Sequence, residues 1–134
     1  MAAVTLLETR QVSRQFGGLR AVDRVDFSLQ AGEIRAIIGP NGAGKTTFVS
    51  LVCGRTPVSA GSILFEGRDV TAMPAHERVG LGIAYTFQIT SIYPNLAVRE
   101  NVALAAQSQV KRATGHLAAR AIDAVTEAAL VKVG

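Results

Sequence analysis

The chain has 134 residues, 49% of them hydrophobic and 18% charged, which describes a soluble globular domain with a core of its own and excludes a disordered or low-complexity polypeptide. Fourteen Lys and Arg against ten Asp and Glu leave a net charge of +4, but the cations are scattered and form no block, so a nucleic-acid interface is not expected. The lone cysteine, Cys53, cannot close an internal disulfide, which fits a reducing compartment and a small buried side chain.

The N-terminal residues show no basic region ahead of an apolar core, so no cleavable signal is expected. Residues 4–13 read as a strand, and Gln15-Phe16-Gly17-Gly18 reads as a turn. Val25, Phe27 and Leu29 alternate with Asp26 and Ser28, the pattern of a half-buried strand. After a turn at 31–33, the unalternating run 34–38 predicts a strand covered on both faces, as in a parallel sheet.

The next stretch carries the chemistry. Gly39, Pro40, Asn41, Gly42, Ala43, Gly44, Lys45, Thr46 and Thr47 have the spacing of a phosphate-cradling P-loop, Gly-x4-Gly-Lys-Thr. Glycines let successive backbone N–H groups turn inward around a polyphosphate. Lys45 supplies a point charge for the β- and γ-phosphates, and Thr46 a hydroxyl for Mg²⁺. A glycine-rich turn before an ordinary helix is the plainer alternative. The setting favours the P-loop, since an apolar run precedes it and Phe48, Leu51 and Val52 mark one helical face after it.

Gly54 suits the C′ position of that helix, and Pro57 prevents its continuation. Residues 62–66 and 69–70 flank a tight turn at Glu66-Gly67-Arg68 and predict a hairpin, and Pro74 and Gly80 bracket a short helix containing His76, Glu77 and Arg78. Ile83, Tyr85 and Phe87 alternate as a strand ending at Gln88. The uncharged run 79–98 has the length of a membrane span, but Thr86, Gln88, Thr90, Ser91, Pro94 and Asn95 make that reading untenable. Helices are expected over about 98–107 and 116–133, joined by the polar connector 111–115, with Ala118, Ile122, Val125 and Ala129 as the apolar stripe of the second. His76 and His116 read as surface residues.

In this order, the segments resemble the N-terminal part of an ATP-binding cassette (ABC) transporter ATPase, and the likeness covers nearly the whole chain. It implies an α/β fold: the N-terminal part of a P-loop NTPase (RecA-like) core with an antiparallel β subdomain and the start of the ABC helical subdomain. Residues 1–88 would form the nucleotide-binding core and 89–134 the Q-loop region and helical start. It also implies ATP and Mg²⁺ as ligands. Phe16 stands where the family places an aromatic that stacks on adenine, and Gln88 where it places a glutamine that touches Mg²⁺ and the attacking water. Lys45 and Gln88 are thus the candidate catalytic residues, Thr46 and Gln88 the candidate metal ligands, and Phe16 with residues 39–47 the nucleotide contacts.

The resemblance further implies docking to transmembrane permease subunits through residues 89–96, a head-to-tail dimer with a second ATPase subunit, and a cytoplasmic location on the inner face of the membrane. Phe16 to Val22, Pro74 to Arg78, Gly82 to Gln88 and Pro94 to Val102 are similar to importers of branched-chain or other hydrophobic amino acids. Tyr85 replaces the subgroup's common arginine, and Ala97 replaces a helix-capping hydroxyl residue, a change expected to weaken the helix start by about 1 kcal/mol. The family's signature motif, Walker B acidic residues and switch histidine are not found in the 134 residues. Two alternatives stand beside the transport reading: a nucleotide-binding fragment without turnover, and a soluble ABC protein of translation or repair.

Overall fold

Two long strands, β1 (Thr5–Phe16) and β2 (Leu19–Gln30), form an antiparallel hairpin that closes at Gly17-Gly18, in a computed structural model that describes residues 4–87 and 92–133. Leu7 and Thr9 point inward with the period of a strand, yet Val12 is also fully buried. An extra residue at Gln11 reconciles them: the β1–β2 register shifts between Thr9 and Val12, and Gln11 takes a φ of 49°. The Asp26 carboxylate secures the bulge by accepting from the Gln11 backbone N–H at 2.8 Å.

Helix α1 (Lys45–Val52) follows the loop, and strands β3 (Ala60–Phe65) and β4 (Arg68–Asp69) form the expected hairpin around Glu66-Gly67. The sheet order is β2-β1-β3-β4, antiparallel throughout. Leu7, Val12, Val22, Phe48, Leu51, Ile63 and Val70 build the core between this sheet and α1, with Phe27 and Phe48 meeting edge to face at 5.6 Å. Burial of each large aliphatic side chain here contributes roughly 1.5–3 kcal/mol. Helix α2 (Ala75–Leu81) starts at Pro74 as expected and ends at Gly82, two residues beyond the predicted stop at Gly80.

Two expected strands do not form. Residues 33–40 have no regular structure, with Ile34 fully exposed and Ile38 90% exposed, and residues 83–87 are likewise irregular. An apolar run becomes a parallel strand only when neighbours on each side take its N–H and C=O groups. Every pairing in this sheet is antiparallel, and among the described residues none offers these two runs a parallel neighbour.

The chain divides into two compact units after Tyr85. The second contains α3 (Val98–Thr114) and α4 (Ala119–Val133), packed on each other around Ala106, Val110 and Thr126. Helix α3 continues through the predicted connector: Lys111 and Arg112 suit its negative C-terminal end, and Gly115 stops it. Ala118, Ile122, Val125 and Ala129 are half-buried, as expected of an inward stripe. Arg99 of α3 bridges Asp123 at 3.1 Å and Glu127 at 3.0 Å on α4.

The start of α3 is half capped. The Glu100 carboxylate accepts from the Ala97 backbone N–H at 2.7 Å, the reciprocal half of a capping box, but a methyl group at position 97 offers no oxygen to the first-turn amides. Ala97 already has the extended backbone of an N-cap, φ −61° and ψ 159°. Ala97→Ser will therefore stabilise the chain by about 1 kcal/mol, read as a higher unfolding midpoint and slower amide exchange in the first turn of α3. Among the described residues no helix is long and apolar enough to cross a membrane.

Candidate nucleotide site

The loop of residues 39–44 leads directly into α1, with Gly44 as the N-cap at φ 85°. No side chain caps this end, and a helix leaves its first amides without partners four residues back. Those of Lys45, Thr46 and Thr47 therefore stand at the positive end of the macrodipole, the arrangement that suits an anion. Gly44 is required twice over: its φ lies in the left-handed region, and a Cβ there would sit far inside van der Waals contact of the Ala21 carbonyl oxygen on β2.

Lys45 folds back over the loop. Its Nζ donates to the Gly39 carbonyl at 2.6 Å and the Pro40 carbonyl at 2.7 Å, which closes residues 39–45 into a ring. An ammonium has three hydrogens, so one remains for a further acceptor. Ala43 N–H donates to the Pro40 carbonyl at 3.2 Å and tightens the same turn. The Thr46 side chain is exposed at the mouth, and Thr47 is half-buried. A cleft of about 250 Å³ opens beside the loop, lined by Val22, Phe27, Ile37, Gly44, Lys45 and Phe48 among others. The arrangement places helix-terminal amides, an ammonium with one hydrogen to spare and an exposed hydroxyl side by side, the groups a polyphosphate would need.

Phe16 is set apart from this cleft, at the tip of the β1–β2 hairpin. It is 46% exposed, and the Arg14 guanidinium lies over its ring at 4.5 Å from the centroid. A ring covered on one side by a guanidinium presents its other face for stacking. Gln88, with residues 89–91 of the expected docking loop, lies outside the described residues. Within the rest of that loop, Ile92 and Tyr93 are more than 60% exposed.

Two organising residues escaped the sequence reading. Asn101 holds the start of α3 and the residues before it: its Nδ2 donates to the Tyr93 and Leu96 carbonyls at 3.1 Å, and its Oδ1 accepts from Tyr93 N–H at 2.8 Å. Arg78, 2% exposed, reaches the far end of α1. Neither has a signature, because their partners are backbone groups. Burial pushes the Cys53 thiol above its ordinary pKa, with Arg78 and Arg55 opposing the shift, so this cysteine remains a packed thiol.

The ABC transporter family matches residues 22–132. A protein of Archaeoglobus fulgidus named "Probable branched-chain amino acid transport ATP-binding protein" is 41% identical over 107 residues, covering 80% of this chain and 42% of its own length. A ribose import ATP-binding protein of Rhodococcus jostii is 36% identical over 125 residues, covering 90% of this chain and 25% of its own. Among solved structures, an ATP-binding cassette of an ABC transporter superposes with a TM-score of 0.71 at 32% identity, over 78% of this chain and 41% of that one. The chain thus spans less than half the length of these relatives. With an α/β fold shared with ABC ATPase domains and a family match over most of its residues, this chain belongs to the ABC transporter family.

Proposed function

We propose that the chain is the N-terminal part of an ATP-binding subunit of an ABC importer, binding MgATP at residues 39–47 and, in the complete protein, hydrolysing it to drive uptake of branched-chain or related amino acids. The observation that carries this reading is the junction of loop and helix: Lys45 ringed onto Gly39 and Pro40, ahead of the uncapped N-terminus of α1. MgATP, when bound, supplies the phosphoryl group and a metal that neutralises its charge. The amides of Gly42 and of Gly44 to Thr47 would orient the phosphates, Lys45 Nζ would give its remaining hydrogen to a phosphate oxygen, and the Thr46 hydroxyl and Gln88 would hold the metal. Phe16 stacks on the adenine through the ring face opposite Arg14.

The amino-acid substrate is supported by the Archaeoglobus fulgidus relative and by the segments around Phe16, Pro74 and Pro94, while the ribose relative represents another class of cargo. Residues 1–88 would serve as the nucleotide-binding core and 89–134 as the Q-loop region and helical start. The subunit would work as a head-to-tail dimer on the cytoplasmic face of the membrane, docked to permease subunits through residues 89–96.

The docking part has a direct test. The complete subunit, co-expressed with its permease, will co-purify with membranes, and a double Ile92→Ser, Tyr93→Ser variant will lose at least most of that association while retaining MgATP binding. Association unchanged in the variant would refute docking through this loop, and a complete subunit that never associates with membranes would refute the transport reading.

A further inference from the structure

Helix α1 has eight residues, too few to be stable by itself, so its orientation depends on what holds its two ends. Gly44, against Ala21, holds the N-terminal end. At the other end the chain leaves in a Schellman turn: Gly54 N–H donates to the Leu51 carbonyl at 3.0 Å and Arg55 N–H to the Ser50 carbonyl at 2.9 Å. Val49 accepts from Cys53 N–H at 3.0 Å. The last helical carbonyl, Val52, accepts from Arg78 Nη1 at 2.7 Å, and the same nitrogen lies 3.0 Å from the Leu51 carbonyl.

The other guanidinium nitrogens grip a different segment. Nε donates to the Met73 carbonyl at 2.8 Å and Nη2 to the Thr71 carbonyl at 2.9 Å. Thr71 is itself fixed to β3, since its hydroxyl accepts from Ile63 N–H at 2.8 Å. One planar fork therefore joins the C-terminus of α1 to the exit of the β3–β4 hairpin. Gly54 makes room for it, because a Cβ there would lie 2.7 Å from Arg78 Nε. Among the described residues no carboxylate forms an ion pair with Arg78. A buried charge whose direct partners are carbonyl dipoles, with the Asp69 carboxylate acting on it only at longer range, is a costly way to fill space, which an apolar side chain would do with less desolvation. What the guanidinium adds is geometry: a rigid fork with donors in fixed directions, and a cation at the negative end of the helix dipole.

We infer that Arg78 is a positioning residue of the phosphate site, acting through α1 to hold the amides of Lys45 to Thr47 in register for an anion. The lever is short and steep. An eight-residue helix is about 12 Å long, so a tilt of about 10° at its C-terminus displaces the opposite end by roughly 2 Å. Hydrogen bonds to phosphate tolerate only a few tenths of an ångström.

The inference rests on the nucleotide reading above, and its test separates the two. Arg78→Lys keeps the charge but concentrates its donors on one atom, which cannot reach all four carbonyls; Arg78→Gln removes the charge. Affinities of the 134-residue chain for MgATP and for inorganic tripolyphosphate are measured at a temperature where each variant is fully folded, together with the amide shifts of residues 45–47 without ligand. Both affinities are expected to weaken about tenfold or more in Arg78→Lys, by similar factors, with the three amide signals displaced. A folded Arg78→Lys variant with unchanged amide signals and affinities within twofold would overturn the inference, as would failure of both variants to fold, which would make Arg78 a stability residue alone. No binding of either ligand by the unsubstituted chain would remove the nucleotide reading itself, and this inference with it.

Discussion

Lys45→Ala will weaken MgATP binding about 10- to 100-fold while leaving the fold intact. The magnitude follows from the loss of one charge-assisted hydrogen bond, about 1.5–3 kcal/mol, at about 1.4 kcal/mol per tenfold change in affinity. The effect on stability is small by comparison. Lys45 Nζ donates to the Gly39 and Pro40 carbonyls, but both residues are exposed, so water replaces the ammonium when it is removed. Calorimetric titration and thermal unfolding of the same samples separate the two quantities. An affinity within twofold of the unsubstituted chain would show that this lysine serves only to close the loop.

Gly44→Ala will act on both quantities together. The added methyl group meets a backbone carbonyl, that of Ala21, which cannot swing aside as a flexible side chain would. An alanine held at φ 85° adds about 1–2 kcal/mol of left-handed strain. Relief requires the N-cap of α1 to move away from β2, which breaks the register of the amides and loosens the contact beneath Val22. A loss of more than about 2 kcal/mol is expected, a large share of the 5–15 kcal/mol typical of a domain, along with MgATP binding. Gly18→Ala is the matching control: its φ is not left-handed and nothing lies within 4 Å of the added carbon, so its unfolding midpoint should barely change. Equal midpoints for the two alanine variants would mean that the close approach of Gly44 to Ala21 is not a constraint.

What could be read in advance was whatever depends on neighbours in sequence. The β3–β4 hairpin, the Gly54 stop and the loop running into α1 are specified by local steric and hydrogen-bonding rules and occur where their residues direct, while the expected turn over 15–18 narrows to Gly17-Gly18 because β1 pairs on through Phe16. Residues 34–38 and 83–87 mark the limit of that logic. Their apolar patterns state which faces would be buried, but a strand also needs a partner for its backbone, and the antiparallel sheet provides none for them. The bulge at Gln11 was invisible for a related reason, because it exists to reconcile Leu7 and Thr9 with Val12 against one core.

Arg78 illustrates the same limit at the far end of α1. In sequence it is one charged residue of a short helix, and its acceptors lie as far as 27 positions away. They are carbonyls, which every residue carries, so no pattern of side chains announces them. Asn101 is hidden in the same way by its bonds to the Tyr93 and Leu96 backbone. The phosphate-loop proposal could be drawn from the sequence because it depends on glycine, lysine and threonine at fixed spacing, whereas the parts that hold the loop in place depend on the fold.

The most direct test of the account is to follow the backbone amide resonances of the 134-residue chain during titration with MgATP. Saturable shifts centred on Gly42 to Thr47, competed away by inorganic tripolyphosphate, are the expected result. Shifts confined to other residues, or none at millimolar nucleotide, would contradict the assignment of this loop as the phosphate site.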